Sequence, residues 1–182
     1  MQYVALLRGI NVGGTNKVDM KQLKAVFESA GMREVKTYIN SGNVVFEHGA
    51  EKDEALVRAL ENAIGQEFGF HVNVLVKSKA ELQAVVEAMP SDWHKGGVMK
   101  CDVVFLWDDM TVSQALTELK AREGIDEVRT VPGVIIWKVD RKNMGKSGLL
   151  RMMGTPLYKK VTIRNSNTTR KLLDILLQRG VQ

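Results

Sequence analysis

The sequence predicts an α+β protein built from two ferredoxin-like (split βαβ) halves with antiparallel sheets and an extra C-terminal helix. Three observations support this fold class. Short apolar segments of strand composition alternate with segments of helical period. Two pairs of strands are joined by tight turns, at residues 40–43 and at Pro132-Gly133. The order strand, helix, strand, strand, helix, strand also recurs in the second half. Because hairpin turns make neighbouring strands antiparallel, a purely parallel sheet is disfavoured.

The first half, residues 1–77, contains four predicted strands and two predicted helices. Its first strand is short, apolar and followed by glycines. Asp19 and Gly31 mark the beginning and end of the first helix as N-cap and stop signal. An apolar residue at every fourth position marks the second helix. The strands are predicted at residues 3–7, 35–39, 44–46 and 72–76, and the helices at 20–30 and 56–68.

A linking helix and a polar loop, residues 78–100, separate the halves. The helix opens with Ser78 and Glu81, which have the spacing of a capping box. The second half, residues 101–182, repeats the order of elements without a residue-level repeat, so the duplication is inferred from element order alone. Strands are predicted there at residues 102–107, 127–131, 134–139 and 160–164, and helices from about 111, at 149–153 and at about 168–179.

The composition indicates a soluble cytoplasmic protein. No apolar run approaches the roughly 18 residues that span a bilayer. Cys101 is the only cysteine and cannot form an intramolecular disulfide, which suits a reducing compartment. Since the three histidines are scattered and distant from Cys101 in sequence, we expect no metal site, and no cofactor motif is present.

Positive charge is concentrated at the C-terminal end. Residues 141–182 contain ten Lys or Arg and one acid, a local charge of +9, whereas the rest of the chain has sixteen basic and twenty acidic residues, or −4. This asymmetry predicts a basic patch that attracts anions. The alternative is that these cations lie on an ordinary solvent-exposed surface that binds no ligand.

The predicted topology gathers polar residues at two sheet edges. In a split βαβ unit the end of strand 1 meets the start of strand 3, so the loop at 8–14 should lie beside the turn at 40–43. The same reasoning places the loop at 141–146 near residues 164–168. At the last helix the alternative is simple capping by its asparagines. The candidate ligand-binding residues are Arg8, Asn11, Gly13, Gly14, Ser41 and Asn43 at the first edge, and Lys146, Arg164, Asn165 and Asn167 at the second.

Residues 144–148, with the sequence MGKSG, resemble part of a nucleotide-binding P-loop. The position of its upstream glycine is occupied by Asp140, whose carboxylate would repel a phosphate. A P-loop is therefore disfavoured. No Ser, His and acid arrangement can be paired from sequence, so the catalytic residues remain unknown.

Three motifs carry a family resemblance: LLRGINVGG at 6–14, TYINSGNVVF at 37–46 and VTIRNSNT at 161–168. Together they are similar to the bacterial domain-of-unknown-function family 1697. The resemblance implies an α+β protein of about this size without an established activity. The family has an aromatic residue where this chain has Ser166, which would weaken or alter binding if that ring contacts a ligand.

We expect a protein that binds a phosphate-bearing ligand or nucleic acid through the basic C-terminal segment and the Asn/Gly-rich loops. One alternative is an enzyme acting on a small anionic metabolite, with Arg8 and Arg164 as anion clamps and Asn11 or Asn43 polarising a carbonyl. Another is an oligomerisation or adaptor module. The sequence leaves open the ligand, the enzymatic status, the number of chains, and whether both motif clusters form one site.

Overall fold

The computed structural model describes residues 1–152 and 154–178. Its contacts divide the chain into two compact units. Unit 1 comprises Met1–Leu82 together with the chain from Leu172, and unit 2 comprises Gln83–Lys171. The domain boundaries predicted from sequence, 1–77, 78–100 and 101–182, stay a prediction.

Unit 1 contains one antiparallel sheet with two helices. The strands are β1 (Gln2–Leu7), β2 (Arg33–Tyr38), β3 (Asn43–Glu47) and β4 (Val74–Ser78), arranged β2-β3-β1-β4. The helices are α1 (Met20–Ser29) and α2 (Glu54–Phe68), and α3 (Lys79–Glu87) begins directly after β4. The signals for α1 are confirmed, because the Asp19 side chain accepts hydrogen bonds from the backbone N–H groups of Lys21 and Gln22.

The core of unit 1 lies between the sheet and the inner faces of α1 and α2. Leu23 and Phe27 of α1 and Leu60 and Ile64 of α2 are fully buried there. Phe27 meets Phe46 of β3 edge-on, with ring centroids 5.6 Å apart. The apolar residues whose spacing predicted each helix are therefore the residues that pack into the core.

Unit 2 repeats this topology. The strands are β5 (Met99–Leu106), β6 (Asp126–Val131), β7 (Val134–Asp140) and β8 (Val161–Asn165), arranged β6-β7-β5-β8. In both sheets the order is second, third, first, fourth strand, and every pairing is antiparallel. The predicted α+β fold is confirmed. The other elements are α4 (Val112–Leu119), a 3₁₀ helix (Arg141–Lys146), α5 (Gly148–Met152) and α6 (Pro156–Lys159). The last helix, α7 (Ser166–Leu177), begins in unit 2, and its residues from Leu172 are assigned to unit 1.

Several element boundaries differ from the prediction. β4 begins at Val74, two residues later than expected, and α7 begins at Ser166, two residues earlier. The short helix α6 was not predicted, although Pro156 at its first position fits a helix start. The predicted ends of the helices at residues 153 and 179 lie outside the described residues. Across the described residues, no helix is both long and apolar enough to cross a lipid bilayer.

Candidate functional site

The loop after β1 and the turn before β3 lie together at one edge of the first sheet. The Leu7 N–H donates to the Gly42 carbonyl at 2.8 Å. The Asn11 side-chain amide donates to the Asn40 carbonyl at 3.0 Å. Residues 8–18 and 39–43 therefore share this edge.

The asparagines and serine at this edge hold the backbone. The Asn11 amide nitrogen also donates to the Val18 carbonyl, and its oxygen accepts from the Val18 N–H, both at 2.9 Å. Asn43 is fully buried, and its amide donates to the Tyr38 carbonyl and to the Ser41 hydroxyl, both at 3.0 Å. These side chains shape the loops.

Gly13 and Gly14 form a tight turn at the tip of the first loop. Their φ angles are 62° and 81°, and the Thr15 N–H donates to the Val12 carbonyl at 3.2 Å. Two consecutive positive φ angles explain the Gly-Gly pair. Arg8, at the base of the loop, is half-buried.

A cleft of about 810 Å³ opens beside these loops. Its walls come from the first loop, the Asn40 turn, the start of α1 and the end of α2. Lys17 and Lys21 are exposed, and Met20 and Phe68 are partly buried. The residues that define the cleft in the following sections are Asn11, Lys17, Met20, Lys21, Asn40 and Phe68.

A second cluster forms in unit 2 at the start of β5. β7 and β8 both run antiparallel to β5, with Met99 opposite Asp140 and Asp102 opposite Asn165. The 3₁₀ helix after β7 and the start of α7 after β8 consequently lie at the same end of the sheet. The loop at residues 90–97, which leads into β5, lies between them.

The start of α7 fastens this loop. The Lys95 N–H donates to the Ser166 hydroxyl at 3.0 Å and to the Asn167 side-chain oxygen at 3.1 Å. The Asn167 amide donates in return to the Lys95 carbonyl at 3.0 Å. Asn165 caps α7, because its side-chain oxygen accepts from the Thr168 N–H at 2.9 Å.

Arg170 binds the same loop from the second turn of α7. Its guanidinium donates to the Trp93 carbonyl at 2.6 Å and to the Pro90 carbonyl at 2.7 Å. Both are charge-assisted hydrogen bonds, which are stronger than bonds between neutral groups. Lys171, the next residue, is exposed to solvent instead.

The 3₁₀ helix contacts the loop from the other side. The Arg141 backbone N–H donates to the Val98 carbonyl at 2.9 Å, and its Nε donates to the Gly96 carbonyl at 2.7 Å. Lys171 lies one helical turn after Asn167, on the face that meets Lys95. We call the exposed cations around this loop the basic rim: Lys95, Arg141, Lys142 and Lys171.

Two exposed acids lie close in sequence to the basic rim, Asp92 in the same loop and Asp174 three residues after Lys171. No member of the rim forms a salt bridge within residues 1–152 and 154–178. Asp140, next to Arg141, lies 3.4 Å from Lys138 and is paired with it. The rim therefore retains a positive potential.

Other cations of the C-terminal segment have structural roles. Arg164 is only 7% exposed, and its Nη1 donates to the Thr162 hydroxyl at 3.0 Å and to the Ile163 carbonyl at 2.9 Å. Burial lowers the pKa of Arg164 to about 10, so it stays protonated at neutral pH. Lys160 pairs with Asp109 at 2.8 Å. Lys146, at the end of the 3₁₀ helix, is exposed.

The segment that resembles a P-loop wraps a carboxylate of the protein itself. The Asp126 carboxylate accepts from the Ser147 hydroxyl and, at 3.0 Å, from the Gly148 N–H. It also accepts from the Trp137 indole at 2.9 Å. Burial raises the pKa of Asp126, but these donors outweigh burial and the pKa is lowered overall. The loop around Ser147 and Gly148 is therefore occupied by Asp126.

Neither a reactive thiol nor a metal cluster is found in the described parts of these two units. Burial raises the pKa of Cys101 to about 11, so the thiol stays protonated at neutral pH. Among the residues that the structure describes, no group of three His, Cys, Asp or Glu side chains is placed to hold a metal ion.

Six cations of these surfaces were not among the candidate residues named from sequence: Lys17, Lys21, Lys95, Arg141, Lys142 and Lys171. The position of Lys95 could have been predicted from topology. The first and last strands of a half are antiparallel, so the loop before the first strand lies at the same end of the sheet as the residues that follow the last strand. Lys17 and Lys21 carry no such signal, since only the packing of α1 against the loop creates the cleft.

The comparisons with known proteins agree with this fold. The sequence model of the family described as "Protein of unknown function (DUF1697)" matches residues 1–137, a range that includes the first two motifs and ends before the third. A solved structure of a conserved bacterial protein from Streptococcus pneumoniae superposes with a TM-score of 0.81 at 28% sequence identity. The superposition covers 96% of this chain and 98% of that one. The search of curated proteins finds no match.

Proposed function

We propose that this chain, which belongs to the DUF1697 family of proteins of unknown function, binds the phosphate backbone of nucleic acid at the basic rim. The observation that supports this function is the group of four exposed cations, Lys95, Arg141, Lys142 and Lys171, without salt bridges in the described chain. Phosphate contacts of this kind supply most of the affinity of non-specific nucleic-acid binding.

Two of the four cations of the basic rim, Lys95 and Arg141, lie on backbone that is fixed by hydrogen bonds within the protein. Asn167 and Ser166 fix the Lys95 backbone, and Arg141 is bonded to the same loop through Gly96. A preorganised surface loses less conformational entropy on binding than flexible lysines on a disordered tail. This rigidity favours a defined binding surface over a general attraction between charges.

Recognition at the rim is expected to depend on phosphates and not on bases. Base stacking needs exposed aromatic rings, but Trp93 beside the rim is 3% exposed and Trp137 is fully buried. Tyr158 is 39% exposed and lies on α6, at the other end of β5. We therefore expect little sequence preference among oligonucleotides of equal length.

A pair of charge-matched variants tests the proposal. Lys95→Ala/Lys171→Ala removes two cations of the basic rim. The control, Lys36→Ala/Lys159→Ala, removes the same charge from exposed positions on β2 and α6. The Lys160 carbonyl accepts from the Trp107 N–H, so Lys159 lies at the far end of β5, roughly 23 Å from the rim for an eight-residue strand.

The measurement is fluorescence anisotropy of a labelled 20-nucleotide single strand at low salt. We expect the rim variant to bind at least about tenfold more weakly, because each lysine that no longer meets a phosphate weakens the complex, and the control to stay within about twofold. If both variants lost the same affinity for the oligonucleotide, the loss would be explained by the lower net charge and not by the position of the lysines. Absence of saturable binding by the unmodified chain would reject nucleic-acid binding and leave the small-ligand and oligomerisation alternatives.

A further inference from the structure

We infer that the cleft of unit 1 is a second, separate binding site, for a small molecule that combines a flat ring with one anionic group, carboxylate or phosphate. Its volume of about 810 Å³ falls within the range of small-molecule sites. The cleft and the basic rim belong to different units, so this inference does not depend on the proposed nucleic-acid function.

The cleft has a polar and cationic wall. Lys17, at the end of the first loop, and Lys21, in the first turn of α1, are both exposed and line the cleft. Neither forms a salt bridge within the described part of the chain. The Asn40 side chain completes this wall with an amide group, a donor and acceptor for a polar substituent.

One carboxylate also lines the cleft and must be considered. The Oδ1 of Asp19 accepts the backbone N–H groups of Lys21 and Gln22, both at 2.9 Å. These bonds direct Asp19 to the helix end and take up the N–H groups that a bound anion would otherwise use. The anionic group of a ligand is therefore left to the two lysine side chains, whose summed charge exceeds that of Asp19.

Another part of the cleft lining is apolar. Met20 and Phe68 line the cleft and are only partly buried. Phe68 has a neighbouring ring, with its centroid 6.4 Å from that of Phe70. A flat ring placed against Phe68 would remove this surface from water and gain ring contact. An apolar surface and two lysines in the same cleft suit a molecule that combines a flat ring with an anionic group.

The turn that presents Asn40 is strained. Ile39 has a φ of 49°, a conformation that is costly for a β-branched side chain, and it is 49% exposed. Its strained backbone turns the Asn40 carbonyl towards the Asn11 amide. This hydrogen bond fixes Asn40 at the edge of the cleft. Backbone strain that persists at the edge of a cavity favours a role for that backbone geometry in ligand binding.

The test is isothermal titration with two ring anions and their uncharged counterparts: adenosine monophosphate against adenosine, and indole-3-carboxylate against indole. Inorganic phosphate measures the contribution of the charge alone. We expect at least one ring anion to bind about tenfold more tightly than its counterpart and than phosphate, because both walls are then used. The pair that shows this gain identifies the anionic group as phosphate or carboxylate.

Matched variants locate the binding. Lys17→Ala/Lys21→Ala should reduce the affinity of the ring anion to that of its uncharged counterpart, and Phe68→Leu should weaken both members of the pair while preserving apolar packing. The control Lys24→Ala, an exposed lysine of α1 that pairs with Glu28 outside the cleft, should bind as the unmodified chain does. Thermal unfolding of each variant checks that it is folded.

Two outcomes would overturn the inference. The first is that neither ring anion binds more tightly than its counterpart in the unmodified chain. The second is that Lys17→Ala/Lys21→Ala loses no more affinity than Lys24→Ala. If Lys95→Ala/Lys171→Ala abolishes adenosine monophosphate binding while the cleft variant retains it, the phosphate binds at the basic rim. That result would contradict this inference but leave the proposed function intact.

Discussion

At the scale of single residues, four asparagines of the motif segments serve the geometry of the backbone. Asn11 and Asn43 shape the first sheet edge, Asn167 fastens Lys95, and Asn165 caps α7. A primary amide donates and accepts at once, so one side chain can bond both an N–H and a carbonyl of a neighbouring segment, as Asn11 and Asn167 do. The motif asparagines therefore position the loops, and exposed lysines beside them are the candidates for ligand contact.

Gly148 provides a prediction at this scale. A Cβ at this position would lie 2.5 Å from the Leu119 carbonyl oxygen and 2.6 Å from that of Lys120, both backbone atoms at the end of α4. Gly148→Ala must displace either α4 or the start of α5. We expect it to lower the free energy of unfolding by roughly 1–3 kcal/mol, measured by urea denaturation.

Gly145→Ala is the matched control for this substitution. Gly145 lies three residues earlier, and a Cβ there would meet nothing within 4 Å. Its effect should stay within about 0.5 kcal/mol. If Gly148→Ala were equally mild, the close approach of α5 to α4 would be contradicted.

The chemistry of single residues was only partly predictable from sequence. In the segment that resembles a P-loop, residues 144–148, Gly148 packs against α4 and the Asp126 carboxylate occupies the loop. The sequence named Asp140 as the obstacle, whereas the carboxylate that binds the loop is Asp126. A pairing between residues 126 and 147–148 depends on the tertiary fold and has no local signature.

At the scale of elements, the start of α3 shows how capping and charge act together. The capping box predicted from Ser78 and Glu81 is present, with the Ser78 N–H donating to Glu81 at 2.8 Å and the Glu81 N–H donating to the Ser78 hydroxyl at 3.2 Å. Lys52 also binds Glu81 at 2.8 Å, and the buried Lys77 lies 3.4 Å from it. Glu81 thus joins α3 to β4 and to the chain before α2.

The pH dependence of stability tests this junction. Burial raises the pKa of Glu81, but the hydrogen bonds from Lys52 and Ser78 and the charge of Lys77 outweigh it and lower the pKa from 4.5 to about 2. A folded-state pKa below the unfolded value means that the stabilisation is present above pH 4.5 and is lost as the pH falls towards 2. We expect Glu81→Gln to be less stable than the unmodified chain at neutral pH by on the order of 1 kcal/mol.

Unfolding free energies of both chains between neutral pH and pH 2 provide the measurement. The difference between them should be constant above about pH 5 and should shrink to near zero at the acid end, where Glu81 itself is protonated. A difference that persists unchanged at low pH would show that the charge of Glu81 is not what stabilises this junction.

The connection between α7 and the loop at residues 90–97 gives a third prediction. Asn167→Ala removes one of two acceptors for the Lys95 N–H and the donor to its carbonyl. We expect faster amide hydrogen exchange at Lys95, because the loop opens more readily. The control Asn165→Ala removes the α7 cap but not this contact, so it should lower overall stability by about 1 kcal/mol without a selective effect at Lys95.

Element type was more predictable than element boundaries. Periodic signals and caps predicted α1 and α2, and α4 begins with a capping box formed by Thr111 and Gln114. The helices between β7 and β8 were harder to predict, because the connection is broken into a 3₁₀ helix and two short helices with few periodic positions. In such segments tertiary contacts, including the Asp126 bonds to Ser147 and Gly148, decide the conformation.

At the scale of the whole molecule, two units share one strand order but differ in surface chemistry. Element order was sufficient to predict both antiparallel sheets, since hairpins and crossovers restrict the possible pairings. The charge count predicted a basic C-terminal segment but not which cations remain available. Arg164 is buried, Arg170 binds carbonyl groups and Lys160 is paired, whereas Lys95, from outside the segment, joins the basic rim.

The most direct test of the central claim is the salt dependence of single-stranded oligonucleotide binding. If the four cations of the basic rim each contact a phosphate, log K should fall against log[salt] with a slope of about −2.8, or four times 0.7. Affinity would then drop roughly fiftyfold between about 50 and 200 mM salt. In Lys95→Ala/Lys171→Ala the slope should shrink to about −1.4, while Lys36→Ala/Lys159→Ala keeps the original slope. A slope near zero in the unmodified chain, or the same slope in both variants, would contradict the assignment of phosphate binding to the rim.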